Sequence, residues 1–260
     1  MRCEEPAIFF ILPIQSLFLM VLLRDNTARA KQAISIFWIM LGVTILNMFS
    51  LGWQYYLLID VQANPGNIDM ETLRASDTIR TVVTVVNFIM LVVSMILFIM
   101  WFRRAYYNLH CLSWHNARHS EGWAAGSWFV PILSLFWPYQ IMEDIWRGTQ
   151  NAIKERFGAP QSAAIIGWWW TLYLVNNFFG YITAFTTRGA DNVDGLLTAT
   201  KVEFVGEIIS IAAIIITIQV IQRTSNFEKE LLEFSQTPSD SIFSDNYTPS
   251  IENMEPRIEN

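Results

Sequence analysis

Charged residues are scarce in this chain. Asp, Glu, Lys and Arg make up 15% of its 260 residues, whereas a soluble domain carries about 25%. Hydrophobic residues account for 53%, and the mean hydropathy is +0.31. This balance argues against an ordinary soluble domain. It predicts a surface in contact with lipid, which a helix can cross with about 20 consecutive apolar residues.

Cysteine is also scarce, and the familiar catalytic patterns are missing. Cys3 and Cys111 are far apart in the chain, which gives no support to a disulfide framework or to a metal site built on paired cysteines. The sequence contains no P-loop, dinucleotide fingerprint, zinc-protease helix or nucleophile elbow. We therefore assign no catalytic residue and no cofactor, and the sequence favours a non-enzymatic protein.

The net charge of −6 is concentrated at the C-terminal end. Residues 224–260 contain eight acidic residues against one Lys and one Arg, while residues 1–223 are neutral overall. Because no strongly basic surface is predicted, nucleic acid is not an expected partner. The polar and acidic composition of residues 224–260 predicts a disordered tail, into which the helix of the fourth span can continue as far as Phe234.

Apolar runs indicate the organisation of residues 24–223. We predict an all-α integral membrane helical bundle with four full spans, at residues 33–59, 81–102, 163–185 and 202–222. Residues 122–140 are apolar, but Pro131 and Pro138 each remove a backbone donor and prevent a regular helix. This stretch is predicted to be a re-entrant or interfacial segment, followed by an amphipathic helix at 141–157.

The first 23 residues form a short apolar extension interrupted by Pro13 and Gln15. The residues before the apolar run, MRCEEP, lack the positively charged region of a signal peptide, which disfavours that assignment. Three interpretations stay open: an interfacial segment, an extra helix, or a start codon placed too far upstream.

Basic residues predict the orientation, because loops on the cytoplasmic side retain Lys and Arg. If residues 122–140 do not cross, most Lys and Arg lie on one side, and the other side holds only Arg74, Arg80, Arg188 and Lys201. We therefore expect a multi-pass protein of the cytoplasmic membrane with its C-terminal tail in the cytoplasm.

A series of short motifs resembles a known family. These motifs are Trp101–Tyr106, Asn108-Leu109, Glu121–Ala124, Trp128–Pro131 and Pro138–Gln140. Together they are similar to the signature of the DUF4328 family of bacterial membrane proteins, over about residues 24–225. The resemblance implies a multi-pass bacterial membrane protein and implies no activity.

The same motifs define a predicted cytoplasmic platform. Arg103 and Arg104 are interpreted either as a flank that sets the topology, as ligands for anionic headgroups, or as ion-pair partners of nearby acids. Aromatic side chains in this region more often pack or anchor at the interface than form a ligand cage. The platform residues are Arg103, Arg104, Tyr106, Glu121, Trp123, Trp128, Pro131, Pro138 and Tyr139.

Polar residues inside the apolar runs predict a second candidate site. Glu203 and Glu207 are four residues apart, and an acid within a span is a functional candidate. The alternatives are an acid stabilised by a helix N-terminus and asparagines that join helices. The predicted polar pocket comprises Asn47, Asn87, Asn176, Glu203 and Glu207.

All three histidines fall in one loop. His110, His115 and His119 are weak metal-ligand candidates, because the spacing of His115 and His119 suits one helix face but no fixed third and fourth ligand is evident. The leading functional hypothesis is a scaffold or regulatory protein that binds other membrane proteins or its own copies within the lipid bilayer. The alternative is a carrier of ions or small solutes that uses Glu207 and the asparagines within the spans.

Overall fold

The computed structural model describes residues 23–64, 69–112, 117–153 and 160–236. Within these ranges the chain is all-helical and contains no strand, as predicted. The helices are α1 (Thr27–Ala63), α2 (Met70–Leu112), α3 (Trp123–Gly126), α4 (Trp137–Ala152), α5 (Ala164–Arg188) and α6 (Val193–Gln236), with a 3₁₀ turn at Leu133–Leu135.

Three helices are long and apolar enough to cross a membrane: α1, α2 and α6. They contain 37, 43 and 44 residues, and at about 1.5 Å per residue each exceeds the hydrocarbon thickness of about 30 Å. Large apolar side chains cover the outside of α2, including Phe88, which is 65% exposed. Such a surface is stable in lipid, because hydrocarbon does not penalise exposed apolar groups.

The long helices run antiparallel to their neighbours. Helix α1 packs between α2 and α6, and α6 packs against α5. The short helix α4 lies across one end of this arrangement and contacts α2, α5 and α6. We call this the packed end; the opposite end, near Ala63, Met70, Arg188 and Val193, is the open end.

The hydrophobic core is concentrated at the packed end. Trp101 and Tyr106 of α2, Trp146 of α4 and Ile166 of α5 are all completely buried. Helix α4 is amphipathic, and Ile141, Ile145 and Trp146 of its apolar face belong to this core. The bundle is therefore held together mainly at one end.

Two boundaries differ from the predicted ones. Helix α6 extends past residue 223 to Gln236, because Phe227 and Leu231 bury apolar side chains against the packed end. The predicted tail is thus helical over residues 224–236. Helix α4 begins at Trp137, within the segment predicted as re-entrant. Residues 1–22, 154–159 and 237–260 lie outside the described residues.

Candidate functional site

A buried carboxyl group joins three helices at the packed end. Glu228 of α6 is 4% exposed and accepts hydrogen bonds from Nδ2 of Asn26, at 3.0 Å, and from Nδ2 of Asn108, at 3.1 Å. Asn26 also donates to the carbonyl oxygen of Trp101 at 3.2 Å. Because every donor comes from another helix or from the segment before α1, this cluster fixes how α1, α2 and α6 meet.

Asn108 also holds the segment that leads into α1. Its Oδ1 accepts from the backbone N–H of Arg24 at 3.0 Å, and its Nδ2 donates to the carbonyl oxygen of Arg24 at 2.9 Å. Nearby, Nε1 of Trp101 donates to Oγ of Ser225 at 3.2 Å. The sequence prediction missed this site. One available signal was Asn108 itself, which belongs to one of the recognised motifs.

A second polar cluster fastens the loop after α2 onto α4. The Arg118 side chain donates from Nε to Asp144 at 2.7 Å and from Nη2 to Glu143 at 2.6 Å. The backbone N–H of Arg118 also donates to Asp144, at 3.0 Å. The hydrogen bond from Arg118 lowers the pKa of the Glu143 carboxyl. This arrangement stabilises the loop in one position.

The predicted platform is largely internal packing. Tyr106 is buried, and its hydroxyl donates to the carbonyl oxygen of His119 at 2.8 Å. Trp128 meets Phe98 and Phe102 edge to face, with ring centres 5.6 and 5.9 Å apart. Pro138 is buried in the first turn of α4. These contacts give the packed end its shape.

The remaining platform residues are more accessible. The Arg103 side chain is 59% exposed and forms a long ion pair with Glu121, at 3.6 Å. Trp123 is partly buried and packs edge to face on Trp137 at 4.6 Å between ring centres. Arg104 and Tyr139 are partly buried, and Pro131 is exposed. The accessible part of the platform is therefore its Arg103 edge and the loop around Pro131.

An exposed apolar surface follows α3. Phe129, Ile132 and Phe136 are 69%, 73% and 58% exposed. The loop is fixed from behind, because Nε1 of Trp170 donates to the carbonyl oxygen of Leu135 at 3.1 Å. These apolar side chains thus point away from the core on a structured loop.

The predicted polar pocket separates into pairs toward the open end. Asn47 of α1 donates to the Glu207 carboxyl at 2.7 Å. Glu203 instead pairs with Arg80 of α2 at 2.8 Å, and Gln54 also bonds to Arg80. These contacts join α6 to α1 and α2.

The two other pocket residues lie on different helices. Asn176 of α5 accepts from the hydroxyl of Ser210 at 2.6 Å, and Asn87 is partly buried on α2. The structure therefore brings Asn47 to Glu207 and Asn176 to Ser210 as separate pairs. The five residues do not form one hydrogen-bonded group within the described part of the chain.

The histidines are not gathered into a metal site in the described residues. His110 packs edge to face on Tyr106 at 4.7 Å between ring centres, and Nε2 of His119 lies 2.7 Å from Oε1 of Gln140. His115 falls outside the described ranges. Where the structure describes the chain, no group of three His, Cys, Asp or Glu side chains could hold a metal ion.

An open apolar groove of about 870 Å³ lies on α1. It is lined mainly by α1 residues such as Phe49, Trp53 and Tyr56, with Phe204 of α6 at one side. The groove faces the outside of the bundle, in the part of the molecule that exposes apolar side chains.

The fold and its three long apolar helices define a helical membrane protein. Residues 64–226 match the family described as Domain of unknown function (DUF4328), and the chain belongs to this family. The match confirms the family indicated by the tryptophan, arginine and proline motifs. Neither a curated protein nor a solved structure matches the chain.

Proposed function

We propose that this protein is a non-enzymatic scaffold or regulator of the bacterial cytoplasmic membrane, with the packed end on the cytoplasmic side. In this proposal α5 is a fourth span, and residues 122–140 enter the membrane surface without crossing it. The distribution of Lys and Arg supports this orientation. The four antiparallel helices also return the C-terminal end of α6 to the side on which α1 begins.

The observation that supports a scaffold is the contrast between the two halves of the molecule. The packed end has a buried aromatic core, the Glu228 cluster and the second polar cluster, in which Arg118 binds Glu143 and Asp144. Toward the open end the helices mostly present apolar side chains outward. A rigid, polar-edged surface on a membrane anchor suits the binding of another protein, because little conformational entropy is lost on association.

The contact surface in this proposal is the Arg103 edge of the platform. Arg103 is weakly held by Glu121, so a partner carboxylate can replace that contact at little cost. The fitting partner is another membrane protein, or a second copy, with an acidic juxtamembrane surface. The buried Tyr106 and the partly buried Trp128 shape this surface from inside and are not expected to touch the partner.

Site-specific photocrosslinking in intact cells tests the scaffold function. A photoreactive residue at position 121 is expected to give a discrete crosslinked species, and Arg103→Glu in the same chain should remove it. Position 201, at the exposed open end, is the matched control. Equal crosslinking at 121 and 201, or persistence of the species with Arg103→Glu, contradicts the scaffold proposal.

A second candidate function is the carriage of a proton, an ion or a small solute. The contact that favours it is the 2.7 Å hydrogen bond between Asn47 and Glu207, in the part of the bundle that exposes apolar side chains. An acid placed among apolar helices is costly and is a candidate for transport. Four spans without an evident inverted repeat weigh against a transporter.

Flux into proteoliposomes tests the carrier function. Glu207→Gln keeps the shape and the hydrogen bond but removes the titrating group, so transport that uses this carboxyl should stop. Asn176→Ala, which removes the separate pair with Ser210, is the control for general disturbance of the helices. Equal flux for the parent and the Glu207→Gln variant removes Glu207 from the mechanism.

A further inference from the structure

We propose that Arg24, Arg29 and Arg104 form a binding site for the phosphate group of an anionic phospholipid at the packed end. This site does not depend on the scaffold function, because it would bind lipid whether or not a protein partner exists. Its residues differ from those of the platform, with Arg104 as the one shared member.

The three arginines converge from two helices and the segment before α1. Nη1 of Arg29 donates to the carbonyl oxygen of Met100 at 3.0 Å, which places its guanidinium beside α2. The guanidinium of Arg24 lies 4.3 Å from the centre of the Tyr107 ring. Arg104 lies four residues after Met100 and three before Tyr107, so these residues share one face of α2 and both contacts bring an arginine to the turn that carries Arg104. Three like charges are thus held close together by contacts that do not neutralise them.

Carboxylates do not account for this cluster. None of the three arginines forms an ion pair with an acidic residue in the described ranges, in contrast to Arg80, Arg103, Arg118 and Arg147. Asp25 accepts hydrogen bonds from Thr27, and Glu228 accepts them from two asparagines. Both acids attract Arg104 electrostatically without forming an ion pair with it. With Lys31 close to Asp25, four cations outnumber these two acids. The cluster therefore favours an anion.

The position of the cluster points to a lipid as the source of that anion. Apolar surface continues directly from the charged group along α2. Met100 and Ile96 precede Arg104 by one and two helical turns and are 41% and 53% exposed. A phospholipid can place its phosphate among the guanidinium groups and its acyl chains along α2. Bidentate donors such as guanidinium suit phosphate oxygens.

Lipid retention by the purified full-length protein tests this site. The protein is incubated in mild detergent with dioleoyl phosphatidylglycerol or, separately, dioleoyl phosphatidylcholine, and bound lipids are counted by native mass spectrometry. We expect preferential retention of phosphatidylglycerol. Each Arg→Gln change at positions 24, 29 and 104 should weaken it about fivefold, since one base near an anionic surface contributes about that factor.

Arg147→Gln is the matched control, because Arg147 is an exposed arginine of the packed end that already pairs with Glu143. Arg24→Gln keeps the test decisive if the variants at positions 29 and 104 do not fold, since the Arg24 side chain is exposed. Equal loss of retention in Arg147→Gln, or unchanged retention in the folded Arg24→Gln variant, overturns the proposal.

Two other anions are distinguished by further measurements. If inorganic phosphate displaces the bound phosphatidylglycerol at equal concentration, the site is a general anion site and the lipid assignment is wrong.

The acidic residues beyond Gln236 are the other competitor. If retention appears only after Asp240, Asp245, Glu252, Glu255 and Glu259 are changed to their amides in the full chain, the arginines bind the C-terminal tail, and the lipid proposal fails.

Discussion

The carboxyl of Glu228 and the side-chain amide of Asn26 are separated by 202 residues and are joined by a hydrogen bond of 3.0 Å. Asn26 immediately precedes α1, and Glu228 lies near the end of α6. The contact therefore closes the bundle at the packed end, where both helices would otherwise be free to separate. Both groups are almost completely buried, so neither can exchange its partner for water without the helices moving apart.

Loss of this cluster should destabilise the protein. Asn108→Ala removes the bonds to Arg24 and Glu228. The buried Glu228 carboxyl then keeps only its bond from Asn26, and we expect a loss of about 1–3 kcal/mol. Unfolding by titration with a denaturing detergent measures the change. Lys229→Gln breaks only an exposed pair with Glu233 and should stay within about 0.5 kcal/mol of the parent. Equal stability of the two variants would show that the cluster contributes nothing.

The contact between α4 and α2 is tight at position 148, where an added side chain would force the buried Leu109 side chain to move. A Cβ at Gly148 would overlap the side chain of Leu109, which is itself 1% exposed. Gly148→Ala should therefore lower the unfolding free energy by about 1–3 kcal/mol, as overpacking does. At Gly52 a Cβ meets nothing within 4 Å, so Gly52→Ala is the control. Loss of stability only in Gly52→Ala would contradict the packing at Gly148.

Stability should fall in acid partly through Glu143. Its folded-state pKa is lowered by Arg118, so its contribution is fully present above the unfolded pKa of about 4.3. That contribution is lost as the pH falls through the folded pKa. We expect Glu143→Gln to be less stable than the parent at pH ~7. On acidification to pH ~3, its unfolding midpoint should fall by less than that of the parent.

Arg188→Gln provides the control for this acid sensitivity, because arginine does not titrate in that range. The unfolding midpoint of Arg188→Gln should follow the same pH dependence as the unfolding midpoint of the parent. A Glu143→Gln variant with the parent's full loss in acid would mean that the Arg118 contact does not contribute to stability.

A topology map tests the proposed four spans. Single cysteines at positions 65 and 193 should react with a membrane-impermeant maleimide in intact cells, and those at 115, 155 and 240 only after the cells are opened. Cys3 and Cys111 are first changed to Ala. External labelling at 155 but not at 115 would mean that residues 122–140 cross the membrane.

The exposed loop after α3 should lie in lipid. A nitroxide at position 132, where Ile132 is 73% exposed, should be accessible to molecular oxygen and shielded from a polar nickel complex. Ser120 is exposed on the polar loop just before α3, and a nitroxide there should show the reverse. Higher nickel accessibility at 132 than at 120 would place the loop in water and exclude interfacial insertion.

The long helices could be predicted because a single physical requirement sets their sequence. Hydrocarbon cannot bond to the backbone, so each span needs a long apolar run in which the helix satisfies its own donors and acceptors. The runs at 33–59, 81–102 and 202–222 fall inside α1, α2 and α6. Helix α6 ends at Gln236, close to Phe234, the limit that the sequence allowed. The apolar face that Phe227 and Leu231 bury accounts for this continuation through a polar stretch.

The candidate sites followed less well from the sequence. Glu203 and Glu207 are one helical turn apart, yet Glu203 meets Arg80 and Glu207 meets Asn47. Glu228 resembled the other acids of the C-terminal region, but it is one of the most buried polar groups in the described chain. Its environment depends on residues far away in sequence, which composition and spacing do not reveal.

The sequence by itself determined that this chain is helical, belongs in a membrane and is a member of its family, because those properties depend on local composition and on ordered motifs. Only the tertiary structure decided which polar groups meet and which arginines lack an acidic partner. Those outcomes depend on the rotation and relative height of packed helices. Small differences in how the helices pack change this rotation and height, and so change which side chains meet.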